Sequence, residues 1–307
     1  MSERLEVTKT YKLFIGGAFP RTESGRSIAI SGRDGGVAAH ICHASRKDLR
    51  DAVEAARKAQ PGWANATAYN RGQVLYRMAE MLEGKRGEFV ALVGEGTGAG
   101  TKARRHGGTK GKKKAAGTVL TPEKEVEAAI DRLVCFGGWA DKYSQVLGCN
   151  NPVAGPYYNF TVPEPTGVVG VVAPDEPSLL GLISLIAPVL CSGNTVVALA
   201  SGANPLPGAV LGEVCATSDV PGGVINLLTG VREELVPHFS SHRDIDALHA
   251  AGLTAEQAKV FREGAADNVK RVTVRDGVNW LDDQACNSPW WIEPFVEMKT
   301  IWHPSGV

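Results

Sequence analysis

Gly167-Val-Val-Gly-Val-Val-Ala-Pro174 opens the segment whose reading decides the fold. Its unbroken apolar run has no polar alternation, as expected of a strand covered on both faces in a parallel sheet. An apolar stretch of helical length follows to Leu190, then the turn Ser192-Gly-Asn194 and a second such strand, Thr195-Val-Val-Ala-Leu199. A helix over 205–216 and a third strand, Gly223-Val-Ile-Asn-Leu-Leu228, complete a βαβαβ order. That order predicts an α/β fold with a doubly wound, Rossmann-like parallel sheet.

Upstream, Tyr11-Lys-Leu-Phe-Ile-Gly-Gly-Ala18 reads as a hairpin around Gly16-Gly17. Ser45, three residues before Asp48, opens an amphipathic helix. Leu49, Ala52, Val53, Ala56 and Ala59 share one face of it, and Pro61-Gly62 is expected to end it. A second helix is predicted over 70–93 and a third from Glu123 to Tyr143. Between them, residues 94–117 are rich in glycine and carry seven cations from Lys102 to Lys114. This stretch lacks apolar periodicity and is expected to be a flexible basic loop. It reads either as a tolerated, solvated insertion, the default, or as a docking site for phosphate, nucleic acid or an acidic partner. Residues 145–166 are β-rich and broken by Gly and Pro, which predicts an arm of two strands.

With 33 basic and 33 acidic residues, overall charge makes no case for a nucleic-acid or membrane partner. No apolar run reaches the length of a membrane span, and Met1-Ser-Glu-Arg4 has no apolar segment behind it. Six scattered cysteines without a CxxC pair predict a reduced, cytoplasmic protein without a zinc site. His238, His242 and His249 lie near Asp244 and Asp246, but their spacing does not set three metal ligands on one face; a solvated loop is expected. Trp290-Trp291 is expected to pack in the core or at an interface.

Several strings resemble the aldehyde dehydrogenase superfamily in sequence and in order. They are Glu164-Pro-Thr-Gly-Val-Val-Gly-Val-Val-Ala-Pro174, Ala187-Pro-Val-Leu-Cys-Ser-Gly-Asn-Thr-Val-Val197, Val220-Pro-Gly-Gly-Val-Ile-Asn-Leu-Leu-Thr-Gly230 and Asn268-Val-Lys-Arg-Val-Thr-Val274. The resemblance implies a nucleotide-binding-like domain over 1–144 and 167–280. It also implies a β oligomerisation arm over 145–166 and 285–307, and no catalytic domain between the two.

The family's functional positions depart from its pattern. Asp175-Glu176 replaces a Trp-Asn pair, so a carboxylate, Glu176, stands where an amide stabilises the oxyanion. Leu199 and Gly202 replace the lysine and glutamate that hold the adenosine ribose, and Leu253 falls within the family's Phe-Thr-Gly-Ser segment. Arg275 aligns with the general-base glutamate and cannot take a proton. Ala173, Pro174, Ser201, Gly230 and Gly252 remain as vestiges of a cofactor site. Cys286 lacks the glycine-rich frame of the family nucleophile and has carboxylates beside it; Cys191 and Cys215 read as small core residues.

The resemblance is nearest to the second, inactive module of family-sixteen aldehyde dehydrogenases, through Ser288-Pro-Trp-Trp-Ile-Glu-Pro294. It implies a catalytically inactive subunit that pairs with a full-length aldehyde dehydrogenase. The pairing surface would be the arm, through Tyr157, Tyr158, Phe160, Val162, Phe295, Met298, Ile301 and Trp302. No cofactor is expected, with weak NAD(P) binding as the residual option. Two alternatives stand beside this reading: an NAD(P)-dependent aldehyde oxidoreductase with an atypical site, and a binding module acting through the basic loop.

Overall fold

The computed structural model describes residues 7–32, 35–96 and 120–306. The chain begins with a three-stranded sheet of β1 (Thr10–Tyr11), β2 (Ser27–Ser31) and β3 (Val37–Cys42), ordered β1-β3-β2. Sequence patterning missed this sheet because its strands are short and mostly half-exposed. The expected hairpin over 11–18 shrinks to its turn. Gly16 and Gly17 take φ of 64° and 83°, which glycine adopts without strain, and Ile15 and Ala18 bond across them. Phe14 pairs instead with Leu227 of the central sheet.

Helix α1 (Arg46–Asn65) starts where expected. Ser45 Oγ accepts the N–H groups of Lys47 and Asp48, and the Asp48 carboxylate accepts Ser45 N–H, forming a reciprocal capping box. It does not stop at Pro61-Gly62. Pro61 lies inside the helix, and burial of Trp63, whose Nε1 donates to Leu190 O at 3.1 Å, holds the last turn in place. The helix expected over 70–93 is two helices, α2 (Ala68–Gly84) and α3 (Arg86–Gly96), separated at Lys85. Lys85 N–H is shared between Met81 O and Leu82 O, a three-centre bond that tightens the end of α2. Residues 94–96 of the expected basic loop belong instead to the last turn of α3, and residues 97–117 lie outside the described residues.

Helix α4 (Pro122–Trp139) ends four residues short of Tyr143, which begins the short α5 (Tyr143–Leu147). The predicted two-stranded segment then appears as β4 (Cys149–Asn151) and β5 (Tyr157–Pro165).

The central sheet follows the order anticipated from the apolar runs: β6 (Val168–Val172), α6 (Leu180–Cys191), β7 (Thr195–Leu199), α7 (Leu206–Thr217) and β8 (Ile225–Leu228). It continues through α8 (Arg232–Ser241), β9 (Ala247–Ala251), α9 (Ala255–Ala266) and β10 (Arg271–Arg275). All five strands are parallel in the spatial order β10-β9-β6-β7-β8, the doubly wound arrangement whose direction reverses between β6 and β9. Both faces are covered. Val168, Val172, Val197 and Leu199 pack with Leu49, Val53, Phe239 and Phe261; Val169, Val171, Val196 and Ala198 pack with Leu182, Ile186, Leu211 and Phe136. Gly167 opens β6 at φ 137°, and a Cβ there would overlap the Asp246 carboxylate. That carboxylate accepts Val168 N–H at 2.7 Å and Arg57 Nη2 at 2.7 Å, tying α1 and β6 to the entry of β9.

After β10, helix α10 (Asp283–Cys286) and two 3-10 turns, Pro289–Trp291 and Glu293–Phe295, lead to β11 (Val296–Pro304). Strand β11 pairs antiparallel with β5 over nine residues, giving a third sheet of order β11-β5-β4. Thr161 and Thr300, directly opposed, are hydrogen-bonded at 2.9 Å. Phe295 is fully buried, and its carbonyl accepts Thr166 N–H and Asn194 Nδ2. It therefore anchors the arm to the body and is withdrawn from the expected interface. Among the described residues, no helix is long and apolar enough to cross a membrane.

Candidate cofactor cleft and its surroundings

Open α/β sheets present ligands with a crevice at the C-terminal ends of their strands, beside the point where strand order reverses. In this chain that crevice is a hollow of about 460 Å³. Asp175, Ser201, Gly202, Gly230, Arg232 and Gly252 line it, with Ile28, Ile30 and Ile41 of the first sheet at its mouth. Ser201, Gly230 and Gly252 thus share one hollow, and Ala173 and Pro174 are buried.

Polar contacts within the hollow are internal to the protein. Asp175 Oδ1 accepts Gly202 N–H at 3.1 Å and Ala203 N–H at 3.2 Å. The same oxygen lies 2.9 Å from Nη2 of Arg232, the first residue of α8. That guanidinium is almost wholly buried and also donates to Ala173 O. Burial pulls its pKa below the ordinary arginine value, and the Asp175 charge opposes the shift. Ser201 Oγ donates to Asp175 O at 3.0 Å and accepts Asn204 N–H at 2.9 Å. The first turn of α8 carries Glu233 and Glu234, which set negative charge where the helix dipole otherwise favours an anionic ligand.

The replaced family positions do not meet in one place. Gly202 lines the hollow, Leu199 is buried in the sheet core and Leu253 packs at that core's edge. Glu176 is exposed. Arg275 lies in a separate hollow of about 440 Å³ after β10, together with Cys286 and Trp291. Its guanidinium stacks over the Trp291 ring at 4.1 Å, and its Nε is 3.3 Å from His249 Nε2. Cys286 Sγ donates to Asn279 O, and burial raises its thiol pKa while Arg132 counteracts. Burial also pushes the Cys215 thiol up to about 12 and raises that of Cys191, the protonated state expected of inert core cysteines.

His249 corrects the expectation of a solvated loop. It is fully buried in β9, with Nδ1 3.0 Å from Leu185 O. A proton on Nδ1 donated to that carbonyl leaves Nε2 as acceptor for Arg275. Burial and the Arg275 charge hold its pKa well below the usual imidazole value. His238 and His242 sit apart from it, at the end of α8. Among the described residues no three His, Cys, Asp or Glu side chains converge to hold a metal. Trp291 is core and Trp290 is exposed, so the tandem tryptophans divide between the two environments.

The expected arm residues fall on both faces of the third sheet. The register sets Met298, Trp302 and Tyr157 on one face, and Tyr158, Phe160, Val162 and Ile301 on the other. Tyr157, Tyr158, Met298 and Trp302 are exposed, whereas Phe160, Val162 and Ile301 are half-buried. Tyr157 packs edge-on against Trp302 with ring centroids 5.9 Å apart.

Sequence reading marks Asp175 as a departure but does not reveal its pairing with Arg232. They are 57 positions apart in the chain, and no local pattern carries the contact.

The sequence profile described as "Aldehyde dehydrogenase family" matches residues 21–279. Cytosolic aldehyde dehydrogenase 1 of Elephantulus edwardii is 32% identical over 273 residues, covering 87% of this chain and 50% of that protein. Retinal dehydrogenase 2 of Gallus gallus is 31% identical over 278 residues, covering 89% and 49%. The solved NAD+ complex of a Bacillus cereus aldehyde dehydrogenase superposes with a TM-score of 0.75 at 25% identity, covering 87% of this chain and 51% of that one. The chain spans about half the length of these relatives. It belongs to the aldehyde dehydrogenase family.

Proposed function

We propose that the chain is a catalytically inactive aldehyde-dehydrogenase-like subunit that pairs through its β arm with an active, full-length aldehyde dehydrogenase. The observation that carries this reading is the arm. Among the described residues β11 pairs with no strand but β5, so beyond Val296, whose carbonyl accepts Arg271 Nη1, the other edge of this nine-residue strand offers N–H and C=O groups for pairing. An edge of this length is a template for strand addition, and Trp302 and Met298 stand exposed along it. Only residues 276–295 connect β10 to β11, too few for a second domain on which the arm would rest within this chain.

The cofactor cleft supports the inactive half of the proposal. The donor set does not fit a dinucleotide: Gly202 and Ala203 amides already bind the Asp175 carboxylate, and Arg232 is engaged by Ala173 O and Asp175. Glu233 and Glu234 add repulsion toward a pyrophosphate. Arg275, at the general-base position, is held against Trp291 and His249 and has no basic lone pair to offer.

Co-expression with a full-length aldehyde dehydrogenase from the same organism tests the proposal. Co-elution as a stoichiometric complex is expected, with no NAD or NADP binding by the isolated chain in calorimetry. A monomer in light scattering that never co-elutes with such an enzyme sinks the pairing. NAD-dependent oxidation of an aldehyde by the chain alone sinks the inactivity.

A further inference from the structure

The start of α1 and the end of α8 enclose a second hollow, of about 560 Å³. It is distinct from the cofactor cleft: α8 runs back from the C-terminal end of β8, so its last turn lies at the opposite edge of the sheet. Arg46, Lys47, Arg50 and Arg243 line it beside the imidazoles of His238 and His242, and among the described residues Glu23 is the one carboxylate in its wall. We propose that this basic hollow binds a small phosphate-bearing ligand, a phosphate monoester or a diphosphate.

The ion pairs show which charges are available. Lys47 lies 3.5 Å from Glu23, and Arg50 is engaged by Asp51 and Glu54. Arg46 and Arg243 have no ion pair or hydrogen bond among the described residues. Both residues line one concavity, and the planar fork of a guanidinium matches the oxygens of a phosphoryl group. The site does not rest on the end of α1 as such, since Ser45 Oγ already takes the N–H groups of Lys47 and Asp48. The imidazoles supply further donors. Both are half-buried, and burial and the Arg46 charge keep them less basic than usual. His242 also faces Asp244, Lys270 and Glu54. A bound phosphate would offset the Arg46 charge and favour the protonated form of His238, while His242, whose Nδ1 accepts Asp244 N–H at 3.2 Å, donates through Nε2.

The hollow is sized for a small molecule, within the usual range of ligand clefts. Its walls belong to two long elements that the core fixes relative to one another, through Leu49 and Val53 of α1 against Phe239 of α8. A site preorganised in this way costs little ordering on binding.

Titration of the full chain with pyrophosphate, followed by calorimetry and by the ring resonances of His238 and His242, tests the assignment. The double variant Arg46→Ala/Arg243→Ala is expected to bind about a hundredfold more weakly, roughly tenfold for each lost charge-assisted contact. Lys259→Ala, which removes an exposed cation on α9, is the control and should change affinity less than about twofold. Circular dichroism and melting of both variants establish that each folds, as expected for exposed side chains. Silence of both imidazoles at millimolar pyrophosphate overturns the proposal. Equal weakening by Lys259→Ala overturns it too, because diffuse charge would then explain the binding. So does attachment to phosphatidylserine vesicles without a response to free pyrophosphate.

Discussion

Asp175 Oδ1 and Arg232 Nη2 stand 2.9 Å apart at the floor of the cofactor cleft, and the pair is lopsided: the arginine side chain is 7% exposed, the aspartate 53%. The consequences of removing each partner should therefore differ. Asp175→Ala leaves a buried guanidinium with Ala173 O as its remaining partner and should cost about 1–2 kcal/mol, screening by water keeping it below the usual penalty for a fully buried pair. Arg232→Met leaves a carboxylate that water can solvate and should cost under about 1 kcal/mol. Urea unfolding at neutral pH measures both, and equal losses would contradict the asymmetry.

His249 should make the fold sensitive to mild acid. Its folded pKa lies well below the ordinary value of 6.5, so below that pH the unfolded chain takes up a proton that the folded chain refuses. The stability His249 contributes is present above about pH 6.5 and is lost as pH falls, at roughly 1.4 kcal/mol per pH unit at most. His249→Gln cannot titrate and should flatten this slope relative to wild type between pH 6.5 and 5. His238 and His242, shifted in the same direction, remain in both proteins, so the difference isolates His249. Parallel stability curves would show that His249 does not titrate as argued.

Gly167→Ala should be among the most damaging small substitutions in the chain. The position needs a left-handed φ, and the added methyl meets the carboxylate that links Val168 and Arg57. A loss of about 3 kcal/mol is expected, as a lower urea midpoint with an unchanged slope. A loss under about 1 kcal/mol would mean that Asp246 moves aside freely.

Trp302→Glu and Tyr157→Glu should separate assembly from folding. Both side chains are exposed on one face of the arm and touch each other. Each substitution should lower the yield of complex with the full-length enzyme at least tenfold while moving the melting temperature by less than about 3 °C. Unchanged complex yield in both would remove the arm from the pairing surface.

Much of the architecture was legible because it is written locally. The apolar runs at 168–172 and 195–199 have no polar face, so they admit only a doubly covered sheet, and Ser45 with Asp48 announces its helix through a contact three residues long. Local rules failed where a distant partner overrode them. Pro61 does not end α1 because Trp63 is held by Leu190, and His249, which resembles part of a charged loop, is a buried strand residue fixed by Leu185 and Arg275. Phe295 looked like one more interface aromatic, yet it faces inward because its carbonyl joins Thr166 and Asn194 at the root of the arm.

The sequence by itself determined the α/β class, the doubly wound sheet and the family, because side-chain period and residue identity are local properties of the chain. Only the tertiary structure decided how the polar residues at the strand ends are used. Asp175 and Arg232 are 57 positions apart, and whether they repel a ligand, bind one or satisfy each other depends on how β6 and α8 are set against the same sheet. The fold places them within hydrogen-bonding reach at the floor of the cleft, so Asp175 Oδ1 and Arg232 Nη2 are spent on each other.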